Sequence, residues 1–216
     1  MARYTNVFAM LVIAGFGLGC DNGPTELDRV LESVAIVDGD EQSGVVGMQL
    51  SEPLLVRAEN AEGEPIPGQV LNFRVVSGGG SVFAGAAQTN ADGIAQELWT
   101  LGTSTSEVHR VEVRAVNPVT GEPIVFATFE ATPLPDVATT LAKSAGDVQE
   151  AEAGTAVTDS LAVRATDQYG NAVPGVSVTW TAGSGTFSPA TSNTGSTGIA
   201  RSRWTLGAAA GSQSAT

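Results

Sequence analysis

Catalysis needs reactive side chains, and this chain has few of them. It contains one histidine, His109, and one cysteine, Cys20. A single histidine excludes a histidine-based triad and a histidine metal cluster, because each needs partners of fixed type and spacing. His109 sits in the run "HRVEVRA", which reads as a strand, and it is expected at the surface without a catalytic role. The glycine-rich stretch "SGGGSVFAG" (77–85) precedes a strand pattern rather than a helix. It therefore reads as a turn and not as a phosphate cradle. Asp38, Asp40, Glu41, Asp147, Glu150 and Glu152 supply the hard oxygen ligands that calcium takes. "NADG" at 90–93 has the look of part of a calcium loop but lacks the remaining ligands. These carboxylates are read as solvated loops and turns. Paired carboxylates also serve glycosidases, yet no cleft-forming insertion accompanies them here. No catalytic residue, no metal and no cofactor is expected.

Three tryptophans are the remaining candidates: Trp99, Trp180 and Trp204. An exposed indole can stack on a sugar. Trp180 and Trp204, however, lie on the apolar faces of alternating strands, and Phe73 stands where Trp180 has its counterpart. A position filled by either large aromatic fits a core better than a sugar platform. Phe73, Trp99, Trp180 and Trp204 are therefore assigned to the structural core.

The tryptophans also expose a duplication. "WTLG" occurs at 99–102 and at 204–207. "LLVRAENAEGEPIPG" (54–68) lies over "LAVRATDQYGNAVPG" (161–175), and in the same register Asp40, Gln42 and Gly47 lie over Asp147, Gln149 and Gly154. "GIAQELWTLG" (93–102) lies over "GIARSRWTLG" (198–207), with a short deletion in the second copy where "SGGGSVF" becomes "GSGTF". Two copies of one module are present. Each copy alternates apolar and polar residues, as in Leu71, Phe73 and Val75, or Val176, Val178 and Trp180. That is the period of half-buried strands. Turn signals such as "AEGEPIPG", "QYGNAVPG" and "NPVTGEP" bracket the runs, and no segment keeps a helical period.

Composition agrees with this. The 216 residues carry 26 glycines, 10 prolines and only 15% charged residues, and their 42% hydrophobic share can supply cores. The formal net charge of −13 argues against a nucleic-acid partner, whose phosphates need a basic face. With one cysteine there is no intramolecular disulfide, so packing alone must hold each module.

The N-terminus "MARYTNVFAMLVIAGFGLGC" has a basic residue at Arg3, an apolar run from Val7 to Phe16 and small residues before Cys20. It reads as a secretory signal peptide, and the run is short for a membrane span. It resembles a bacterial lipoprotein signal. Gly19 and Leu18 fit the positions before the cysteine, and Gly17 stands where leucine is usual. The resemblance implies cleavage before Cys20, lipidation of that thiol, and attachment to a membrane through the lipid.

The combined pattern of D-x-x-G-N-x-V-P-G, V-x-V-T-W, T-G-x-A and W-T-L-G resembles the bacterial Ig-like domain of the invasin and intimin group, the Big-1 type. "VRATDQYGNAVPGVSVTW" carries it best; the first copy departs with Asn60 and Glu64 where the second has Asp167 and Asn171. The fold class expected is all-β: tandem immunoglobulin-like antiparallel β-sandwiches, the second C-terminally incomplete, because "VEVRA" and "VFATFEAT" find no counterpart in it. The expected division is a signal peptide (1–19), a lipidated tether (20–29), domain one (30–132), the stiff linker "PLPD" (133–136) and domain two (137–216). Together the two resemblances imply a non-enzymatic, lipid-anchored bacterial surface protein acting as a stalk or adhesion module toward a protein or glycan ligand. The rival readings are a carbohydrate-binding accessory module and the N-terminal part of a larger exported enzyme.

Overall fold

The computed structural model describes residues 30–117 and 119–216. The signal peptide, the tether and Cys20 lie outside the described residues. Every regular element described is a strand. The first module contains β1 (Ser33–Asp38), β2 (Gln42–Val45), β3 (Leu54–Glu59), β4 (Val70–Ser77), β5 (Gly80–Val82), β6 (Ala86–Gln88), β7 (Ile94–Glu97), β8 (Trp99–Leu101), β9 (His109–Val116) and β10 (Pro123–Leu134). The second contains β11 (Thr140–Ala145), β12 (Leu161–Thr166), β13 (Ser177–Thr179), β14 (Thr186–Ser188), β15 (Thr191–Asn193) and β16 (Ile199–Thr205).

In the first module one sheet runs β1-β3-β7 and the other β2-β10-β9-β4-β6, with β5 and β8 as a separate pair. Side chains alternate across each strand, so one face of each sheet turns inward. Along β9 the buried residues are His109, Val111, Val113 and Ala115. The three aliphatic ones meet Leu54, Val56, Leu71, Phe73, Trp99, Leu101 and Phe129 in one core. The pairing is antiparallel except at the edge, where β2 runs parallel to the end of β10. Pro133 and Leu134, expected in the linker, belong to β10 and lie opposite Gly44 and Val45. The β9 ladder has already ended at Ala131, so the N–H that Pro133 lacks is not needed on that side, while the carbonyl of Leu134 accepts from the N–H of Val46 at 2.9 Å.

The second module repeats the plan with fewer strands: β11-β12-β16-β14 in one sheet and β13-β15 in the other. Even the irregularities repeat. β1 slips register between Ile36 and Asp38, and β11 between Lys143 and Ala145, the corresponding positions. The aromatic core is a row of rings, with Phe187 at 5.7 Å from Trp180 and 5.8 Å from Trp204. Arg201 and Arg203 point outward from β16, while Trp204 points in. Among the described residues nothing lies on β13 in the way β9 lies on β4, apart from the last residues of the chain, which pair at Ala182 and Ala215.

The doubled "WTLG" has a steric basis. A Cβ on Gly102 would lie 2.0 Å from the carbonyl oxygen of Gly78, and one on Gly207 would lie 2.7 Å from Cβ of Ser184. In both modules the strand that carries the tryptophan ends against the glycine-rich turn, and only glycine leaves room.

Two outcomes are expected. Trp99 is fully buried, so Trp99→Ala should cost roughly 3–5 kcal/mol in a urea melt of the first module. Hydrogen exchange should find slow amides across residues 50–130 and fast exchange through most of 160–216, because the second core has fewer covering strands.

Candidate functional site

The described residues offer no group of histidine, cysteine, aspartate or glutamate side chains that could hold a metal. The acidic residues with calcium-ligand chemistry lie apart. Asp40 accepts from the N–H of Glu130 at 2.8 Å, Asp147 pairs with Lys143 at 2.7 Å on the surface, Asp38 ends β1, and Glu41, Glu150 and Glu152 stand in connections between strands. The most developed polar arrangement is elsewhere, where the two modules meet.

It begins in the turn "DQYGN" (167–171). The backbone closes through the N–H of Gly170 to the carbonyl of Asp167 at 3.1 Å, and the N–H of Asp167 to the carbonyl of Asn171 at 3.0 Å. Asp167 is 2% exposed, so its charge must be satisfied within the protein. One carboxylate oxygen accepts from the N–H groups of Tyr169 and Asn171, both at 2.9 Å. The other accepts from the Asn171 side chain at 2.9 Å and from the N–H of Asp136, in the linker, at 3.1 Å. Burial alone would raise the Asp167 pKa. The hydrogen bond from the Asn171 side chain and those from the N–H groups of Asp136, Asn171 and Tyr169 outweigh it and hold the carboxyl below its ordinary value.

Asn171, oriented by that carboxylate, reaches into the first module. Its Nδ2 donates to the carbonyl of Thr103 at 2.8 Å, and its Oδ1 accepts from the N–H of Thr105 at 3.0 Å. An amide carries a donor and an acceptor together, so it can read a loop's carbonyl and N–H at once. Beside it the Tyr169 hydroxyl rests on Gly47, where a Cβ would lie 2.8 Å away. Gln168 donates to Asp136 at 2.9 Å and completes the grip on the linker.

The loop that Asn171 reads is held from behind by His109. Its Nε2 lies 2.9 Å from the carbonyl of Ser104, between Thr103 and Thr105, and because a carbonyl can only accept, this nitrogen carries the proton. His109, expected at the surface, is completely buried. The reason is steric as well as polar. Gly78 has no side chain, and a Cβ there would lie 1.9 Å from the imidazole Cδ2. Gly78 makes room for the ring, and the ring fixes the loop.

The residues assigned to the core take no part in this junction. Phe73 is 3% exposed, Trp99 0%, Trp180 7% and Trp204 8%. The Trp180 and Trp204 indole N–H groups donate to Ser192 and to the carbonyl of Ser184. Asp167 and Asn171 stand in the D-x-x-G-N-x-V-P-G pattern, but sequence reasoning gave them no contact, and it did not single out Tyr169 or Asp136. The available signal is the difference between the copies: Asn60 and Glu64 replace Asp167 and Asn171, and in the first module that turn ends in exposed Glu62 and Glu64.

Residues 145–214 match the family model of the bacterial Ig-like domain (group 1). The match lies within the second module, whose sequence pattern the first module repeats. Among solved structures, the D0-D1 domain of intimin is 18% identical, covering 86% of this chain and 89% of that one, with a TM-score of 0.34. The D00-D0 domain of intimin is 17% identical, covering 85% and 89%, with a TM-score of 0.42. A C-terminal 282-residue fragment of intimin, solved in complex with the intimin-binding domain of the translocated intimin receptor, is 16% identical, covering 82% and 56%, with a TM-score of 0.37. No curated protein matches the chain in sequence.

Two consequences can be measured. Asn171→Ala removes the bonds to Thr103 and Thr105 and should weaken the junction by roughly 1–3 kcal/mol. NMR relaxation should then report independent tumbling of the two modules where the wild type tumbles as one. Asp167 has a lowered folded pKa, so its contribution is present above its unfolded value of about 3.9 and is lost as pH falls through the folded value. Acidification below about pH 4 should therefore loosen the junction, and Asp167→Asn should abolish that acid step.

Proposed function

We propose that this protein is a bacterial cell-surface stalk or adhesion module, lipid-anchored at Cys20, that holds Ig-like sandwiches in fixed series away from the membrane. The observation that carries the reading is the junction. A flexible linker would leave the modules free, and domains in one chain move relative to each other unless their interface holds them. Here the linker N–H of Asp136, the turn of the second module and the loop of the first are joined by direct side-chain bonds. Such a junction transmits orientation, which is what a spacer or a display arm needs and a soluble enzyme does not. The group 1 bacterial Ig-like match supports the same reading. The net charge of −13 limits nonspecific association with other acidic surfaces. The ligand at the outer end would be a protein or a glycan, and the mechanism is mechanical.

The anchor rests on the sequence around Cys20. A lipid-modified cysteine with several acyl chains holds a membrane far better than one chain does. Metabolic labelling with a fatty acid should tag the wild type and leave Cys20→Ala untagged. Equal labelling of the two would remove the anchor from the proposal, and protease resistance of the modules in intact cells would remove the surface location.

A further inference from the structure

The two modules differ in charge. Residues 30–132 carry four bases and fourteen acids, while residues 137–216 carry four bases and five acids. Three of the second module's bases, Arg164, Arg201 and Arg203, stand on one face of the β11-β12-β16-β14 sheet. Residues paired across a sheet share a face. The register sets three successive rows there: Arg203 beside Ser188, Arg201 beside Ala162 with Ala145 beyond, and Arg164 between Ile199 and Ala142. Thr140 and Thr166 form the next row. All three arginines are exposed, and no carboxylate belongs to these rows. Among the described residues Arg164 and Arg201 make no ion pair, and Arg203 donates Nη2 to the carbonyl of Thr158 at 2.9 Å.

The first module shows that this face departs from the shared plan. Arg57 lies over Arg164 but is paired with Glu59 at 2.9 Å, and Thr166 takes the place of Glu59. Gln96 and Leu98 stand where the second module has Arg201 and Arg203, between the shared "GIA" and "WTLG". Three differences thus move charge in one direction on one face: two add a cation and one removes the acid. The openness of the face follows from the fold. Ala35 and Gln96 are exposed on the corresponding sheet of the first module, whose β9 and β10 belong to the other sheet. The strands that close that core leave this side uncovered.

We propose that this face binds an acidic polysaccharide. A guanidinium takes a carboxylate or phosphate through parallel N–H bonds. The arginines stand in successive rows about 7 Å apart along the strands. They therefore meet anionic groups on successive units of a chain rather than converging on one small ion. Ala142, Ala145 and Ala162 leave a low floor beside them, and Thr140, Thr166 and Ser188 offer hydroxyls that both donate and accept toward sugar hydroxyls. A protein partner would need a central aromatic or aliphatic anchor, and a single-stranded nucleic acid an aromatic platform for its bases. The face has neither, and its one larger apolar residue, Ile199, is half-buried. The acidic first module repels the same polymer, which confines binding to the second. The proposal names a ligand class for the display function above. Its test is made in solution, so its outcome is separate from that of the Cys20 anchor.

The test uses the 216-residue chain and fluorescent oligogalacturonate, with neutral dextran and polyglutamate as comparisons. Saturable binding of oligogalacturonate is expected, weakening as salt is raised, with NMR shifts gathered at residues 140–145, 162–166 and 199–203. The double variant Arg201→Gln with Arg203→Gln should bind at least about tenfold more weakly, since each change removes a charge-assisted bond to the ligand. Arg164→Gln, which gives up no ion pair within the chain, should weaken binding as well, and Arg57→Gln in the first module should leave it unchanged. The proposal is overturned by an absence of binding, by equal affinity of the double variant or of Arg164→Gln, by an equal loss with Arg57→Gln, by NMR shifts confined to the first module, or by equal binding of dextran. Equal or tighter binding of polyglutamate overturns it in favour of an acidic protein.

Discussion

A buried carboxylate organises the way these two sandwiches stand. Asp167 is removed from water, so every acceptor position it offers must find a donor in the protein. Its donors come from three places at once: its own turn, the linker at Asp136, and the Asn171 side chain. Satisfying the charge therefore fixes the linker against the turn and presents the Asn171 amide at one angle. That amide then has one partner surface, Thr103 and Thr105, which exists because His109 holds Ser104 between them. His109 in turn has space because residue 78 is glycine. A sequence of local necessities thus runs from a glycine in the first module to an aspartate in the second, and the orientation of one sandwich on the other is its result.

Much of the fold is legible in the sequence because duplication makes close packing visible. "WTLG" repeats since the tryptophan must fill a core and the glycine must pass a turn at contact distance, and neither requirement tolerates substitution well. For His109 two signals conflict. Its polarity points to the surface, yet it shares the parity of Val111, Val113 and Ala115, and along a strand that parity is the buried face. The period decides, because Gly78 and the Ser104 carbonyl give the imidazole both room and a partner. The junction is hidden for a different reason. Its residues are polar, lie in turns, and make contacts between modules that no pattern within one module encodes; only the contrast of Asn60 and Glu64 with Asp167 and Asn171 points to it. The strand runs past the expected boundary at Pro133 because the β9 ladder has ended at Ala131, so the missing N–H of the proline costs nothing, and the carbonyl of Leu134 carries the pairing on to Val46.

The two turns also show how one framework is put to two uses. Asn60 accepts from the N–H groups of Glu62 and Glu64 at 3.1 and 2.8 Å, and Asp167 accepts from those of Tyr169 and Asn171 at almost the same distances. The turn itself therefore needs only a side-chain oxygen at its first position, and either residue supplies it. The second oxygen of aspartate is what allows a further pair of donors, one from the linker and one from the amide. An asparagine presents a donor at that place instead. The turn of the second module is thus a docking element through that second oxygen and the Asn171 amide it orients, and the exposed Glu62 and Glu64 of the first, acidic and long, have the character of a solvated face.

Stability depends on a parallel contrast. The first strands of both modules carry an apolar residue at the same position, yet Val34 is buried and Leu141 is not. Hydrophobic residues supply a driving force of roughly 25 cal/mol per Å² only when something covers them. In the first module the cover is β10, the antiparallel partner of β9, so its core is closed by the most distant part of its own sequence. The second module gathers its ring cluster where β14 pairs with β16, placing Phe187 opposite Trp204, and where Trp180 follows β13. Those rings hold it together while the face beside them stays open. The ring cluster lies past the Leu161 end of β12, and the docking turn leaves from its Thr166 end. That turn grows from β12 and needs only β12's neighbours to be in place, so the junction with the first module does not depend on the open face being filled.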